Sequence, residues 1–70
     1  MVGKLCKIHI PGKAPNMRRV WLYDDNGMCC ASLFEGDIVL PIARDGDSFC
    51  YYIVTQHGVG RLEDEFIQET

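Results

Sequence analysis

No run among the 70 residues approaches the ~20 consecutive apolar positions that cross a bilayer. The segment Met1–Ile10 carries Lys4 and Lys7 but lacks the apolar stretch of a secretion signal. The expectation is therefore a cytoplasmic chain with no membrane partner, whose four cysteines, Cys6, Cys29, Cys30 and Cys50, stay reduced. A sustained apolar period of 3.6 is also missing, which argues against amphipathic helices as the main elements. No acid precedes Asp24, and after Arg19 only Arg44 and Arg61 are basic. Residues 1–19 thus carry +5 and residues 20–70 carry −8.

Signatures of chemistry are equally sparse. Zinc knuckles space their thiolates as Cys-x2–4-Cys, whereas Cys29 and Cys30 are adjacent, and strand alternation points neighbours to opposite faces. No metal site is expected, and two or three of the thiols read as small core residues. His9 and His57 have no flanking pattern that marks a nucleophile, a base and an oxyanion hole. Gly58-Val59-Gly60 is only a Gly-x-Gly, which suits a turn rather than a phosphate cradle. Asp24, Asp25, Asp45 and Asp47 fall beside Asn26-Gly27 and Gly46, where aspartate bonds its own backbone in turns. The chain is accordingly read as a non-enzyme with no catalytic residue and no cofactor.

What is present is a series of short strands. Leu5–Ile10 alternates, with Ile8 and Ile10 on one face and Lys7 and His9 on the other. Pro11-Gly12-Lys13-Ala14-Pro15-Asn16 is a loop, because its prolines remove backbone donors. Arg19–Tyr23 is aromatic and β-branched, and Asp24-Asp25-Asn26-Gly27 turns it back into Met28–Leu33 as a hairpin. Phe34-Glu35-Gly36-Asp37 is a second turn, leading to Ile38-Val39-Leu40, an apolar run expected to be covered on both faces. Pro41 forces a bulge or an edge. Phe49–Val54 and Val59–Leu62 follow as strands, joined by Thr55–Gly58, and Glu63–Phe66 is read as one helical turn. Five or six short strands in a single 70-residue domain predict an all-β barrel or sandwich. The basic first strand is expected beside the acidic last one.

Residues 21–67 resemble the Src-homology-3 (SH3) pattern. Trp21-Leu22-Tyr23-Asp24-Asp25 is similar to its Ala-Leu-Tyr-Asp-Tyr segment, and Leu33-Phe34-Glu35-Gly36-Asp37-Ile38-Val39 to its diverging turn and following strand. Gly60-Arg61-Leu62-Glu63-Asp64-Glu65-Phe66-Ile67 resembles its Gly-Leu-Phe-Pro-Ser-Asn-Tyr-Val close. The resemblance implies a small five- to six-stranded SH3-like barrel, closer to the bacterial type. A proline-reading groove would need a Trp near Cys50 or Tyr51 and a Pro at position 63, and the chain has neither.

Seven aromatics are too many for so thin a core, so some must face water; of Tyr51 and Tyr52, alternation sends one outward. The expected activity is binding of a protein partner through the 11–18 loop and exposed aromatics, with Lys13, Arg18, Arg19, Trp21, Tyr23 and Tyr51 as contact residues. Nucleic acid is the alternative, through Lys4, Lys7, Lys13, Arg18 and Arg19, though a pI near 5.1 opposes the positive potential that phosphate binding draws on. Edge-strand pairing into a homo-oligomer is a third reading.

Overall fold

A computed structural model describes residues 1–12, 19–46 and 49–70. The strands are β1 (Cys6–Ile8), β2 (Arg19–Tyr23), β3 (Cys29–Phe34), β4 (Ile38–Arg44), β5 (Cys50–Thr55), β6 (Gly58–Glu63) and β7 (Ile67–Glu69). A single 3-10 turn, Asp64–Phe66, separates β6 from β7, where the sequence placed its helical turn. All neighbours are antiparallel, in the order β3-β2-β6-β5-β4-β1-β7. The fold is all-β, with one strand more than expected because the last residues, Ile67–Glu69, pair with β1.

Each turn has a local cause. The Asp24 carboxylate accepts the amide N–H groups of Asn26 (2.9 Å) and Met28 (3.0 Å), while Gly27 supplies the positive φ of 78° that closes the hairpin. Asp37 Oδ2 accepts the Phe34 amide at 2.8 Å, and Gly36, with φ 89°, donates its own amide to the Ile8 carbonyl. That last bond, with Ile8 N–H to the Asp37 carbonyl at 2.8 Å, ties the β3–β4 turn to the first strand. Pro41 produces a bulge: the β4–β5 register slips between Pro41 and Ala43.

One core collects residues from every strand. Cys6, Ile8, Val20, Leu22, Leu33, Val39, Ile53, Leu62 and Ile67 are buried together with Ile10, so the sheet must curl round its own inner face. Alternation survives in β1, where Cys6 and Ile8 are buried and Lys7 is exposed. The apolar run of β4 is covered on one face only, since Val39 is buried but Ile38 is 55% exposed. No aromatic ring enters this core; Tyr51 and Phe66 only lean against it. Branched aliphatics fill the space, and Gly60 sits so close to Leu22 that a Cβ there would overlap the leucine side chain. Of the four thiols only Cys6 joins the core, while Cys29 and Cys30 are exposed and Cys50 is half-buried. Burial, and secondarily the Glu69 carboxylate, pushes the Cys6 thiol above its usual range.

The first and last strands are neighbours, as the charge distribution suggested, with Cys6 opposite Glu69 and Ile8 opposite Ile67. The ion pair at this seam joins the Met1 amino group to Glu69 at 3.3 Å and leaves Lys4 and Lys7 unpaired among the described residues. Among the described residues no helix is long and apolar enough to cross a membrane.

Candidate functional site

Pairing across the strands fixes which side chains share the outer face. On β2, Val20 and Leu22 point inward, so Arg19, Trp21 and Tyr23 point outward. Arg19 stands opposite Phe34 on β3, and its guanidinium lies 5.6 Å from the Trp21 ring centre and 5.9 Å from that of Phe34. Both distances fall within cation–π range. Trp21 is 46% exposed and Phe34 51%. Among the described residues no carboxylate pairs with Arg19, so its charge is held by the two rings alone.

The outer face continues across the sheet. Tyr23 pairs with Arg61 on β6, which pairs with Tyr52 on β5, which pairs with Ala43 on β4. Arg61 is anchored there, with Nη2 donating to the Asp24 carbonyl at 3.1 Å and Nη1 3.7 Å from Asp45 Oδ2. Its Nε is buried without a hydrogen-bond partner among the described residues. Beside it lies a concavity of about 190 Å³ lined by Tyr23, Gly27, Cys50, Arg61, Leu62 and Glu63. The nearby Cys29 thiol, before partial burial, raises the Tyr23 phenol above its ordinary value. A second concavity, about 170 Å³, is formed by Leu33, Asp37, Ile38, Thr55 and Gln56.

The structure thus brings together three of the residues singled out from the sequence, Arg19, Trp21 and Tyr23. Tyr51 lies apart from them: it pairs with the inward-facing Leu62, leans on the core and carries Arg44 over its ring at 5.9 Å. Tyr52 is the tyrosine on their face. Lys13 and Arg18 fall outside the described residues, as do all positions from 13 to 18 of the segment 11–18 expected to bind. Phe34 was missed as a contact residue because it looked like part of a turn motif; its position opposite Arg19 depends on hairpin register. Among the described residues no group of three or more His, Cys, Asp or Glu side chains gathers as metal ligands.

Compared with known protein families, curated proteins and solved structures, the chain matches none.

Proposed function

We propose that the chain is a non-catalytic interaction module that presents the outer face of β2 and β3 to a protein partner. The carrying observation is the Arg19 guanidinium set against two half-exposed rings, Trp21 and Phe34, which take no part in the core. Trp and Arg are the residues most often found to dominate binding energy, and stacking holds this guanidinium before a partner arrives, which lowers the entropic cost of using it. The two concavities described, about 170 and 190 Å³, are smaller than the roughly 300–1,000 Å³ of small-molecule sites.

The finer reading is an SH3-like barrel. Its support is the bonding of the Gly36–Asp37 turn to Ile8, the 3-10 turn at Asp64–Phe66, and the meeting of Tyr23 and Glu63 in one concavity. An acid at position 63, where the resemblance calls for proline, sets this groove apart from proline-reading ones.

The test is retention of a partner by immobilised wild-type chain and by a Trp21→Ser/Phe34→Ser variant, each with and without nuclease. A protein retained after nuclease, and lost from a variant whose circular dichroism is unchanged, is the expected result. Equal recovery by the variant would remove this surface from the proposal. Loss on nuclease treatment would move the assignment to nucleic acid, for which Arg19 and Trp21 also form a stacking platform. Concentration-dependent self-association abolished by the same variant would instead identify a second copy as the occupant.

A further inference from the structure

The two adjacent thiols of β3 do not obey alternation. Leu22 pairs with Ala31, but the next residue of β2, Tyr23, pairs with Cys29, so the register slips and Cys30 is the extra residue of a bulge. Directly opposed residues share a face, which puts Cys29 on the outer side with Tyr23. Cys30 precedes Ala31, which packs against the core, so it too faces outward. Both are exposed, and β3 ends the sheet, so among the described residues no strand covers its far edge. Cys30 Sγ donates to the Leu22 carbonyl at 3.5 Å.

We propose that Cys29 and Cys30 form a two-thiolate clamp for a soft, thiophilic metal ion, monovalent copper being the ion whose chemistry fits. Three considerations select that class. Neighbouring Cα atoms lie about 3.8 Å apart across a trans peptide. Disulfides need roughly 4.4–6.8 Å, so direct oxidation of the pair is strained, whereas an atom inserted between the sulfurs enlarges the ring and relieves it. Thiolates select soft ions. Zinc wants four ligands in a tetrahedron, and among the described residues no third His, Cys, Asp or Glu joins the pair, which favours an ion content with two. On binding, two S–Cu bonds form and both thiols release their protons, so uptake weakens as pH falls.

The experiment is an anaerobic titration of reduced protein with monovalent copper against bicinchoninate as competing chelator. One ion per chain is expected, with affinity falling about 10²- to 10⁴-fold in Cys29→Ser and in Cys30→Ser, because each loses the intramolecular second ligand. Cys50→Ser should bind as wild type does. A second measurement uses phenylarsine oxide, in which the As–O double bond is replaced by two As–S bonds and water leaves. It should protect Cys29 and Cys30 together from iodoacetamide in mass spectrometry. No copper uptake against the chelator, unchanged affinity in either single variant, or equal loss in Cys50→Ser would each overturn the assignment. Circular dichroism of every variant separates a lost site from a lost fold.

Discussion

Replacing Gly60 with alanine tests how tightly the core is filled around Leu22. An added Cβ would overlap the Leu22 side chain, with its two methyl carbons both at 2.9 Å, and Leu22 is fully buried. Overpacking of a filled core costs about 1–3 kcal/mol. Against that, alanine narrows the unfolded ensemble and returns about 0.4–1 kcal/mol. The net expectation is a loss of roughly 0.5–2 kcal/mol, which in a domain of this size lowers Tm by about 4–8 °C per kcal/mol. Urea denaturation followed by far-ultraviolet circular dichroism should show a lower midpoint at unchanged slope. The paired variant Gly60→Ala/Leu22→Val should cost less than the two single changes added together, since removing a methylene from Leu22 makes room for the new methyl. A Gly60→Ala chain as stable as wild type, or fully additive costs, would refute the argument that this contact limits the core.

Two further outcomes follow from particular side chains. Asp24→Ala removes an acceptor used by two amides in the first hairpin and should cost about 0.5–1.5 kcal/mol, measured by the same denaturation; Asp24→Asn, which keeps an acceptor oxygen, should recover most of it. Cys6 is buried with its thiol pKa raised, so the folded state holds that proton more tightly than the unfolded one. Its contribution is fully present below the ordinary thiol pKa and is lost as pH rises through that range to the raised folded value. Stability should therefore decline on the alkaline side, and Cys6→Ala, though less stable at neutral pH, should show a flatter alkaline limb. An identical pH profile in the two proteins would remove Cys6 as the cause.

The elements were legible in the sequence because their signals are local. Asn26-Gly27 and Gly36-Asp37 name their turns, Pro41 announces its bulge, and the alternation of Cys6–Ile10 displays its buried face. What escaped depends on register or on packing. Alternation assigns Cys29 and Cys30 to opposite faces, and only a slip against Leu22 and Tyr23 reverses that. Counting aromatics does not reveal that the interior takes none, because which side chains fill it depends on packing between strands. In the site, Arg19 and Trp21 were visible as neighbours on one strand, whereas Phe34 joins them through pairing across 15 residues of chain. Tyr51 and Tyr52 are chemically alike in sequence, and only the pairing of Tyr51 with Leu62 and Tyr52 with Arg61 separates them.

The position of β1 between β4 and β7 has a consequence for the order of assembly. The β2–β3 hairpin and the β4–β5–β6 meander join strands that follow one another in the chain, so their loop-closure entropy is small. β1 finds no such neighbour: its partners lie about half the chain away and at the far end. Cys6 and Ile8 are therefore covered only once a non-local pairing, with β4 or with β7, has formed. Slow, millisecond-to-second folding is the regime expected of such non-local closure.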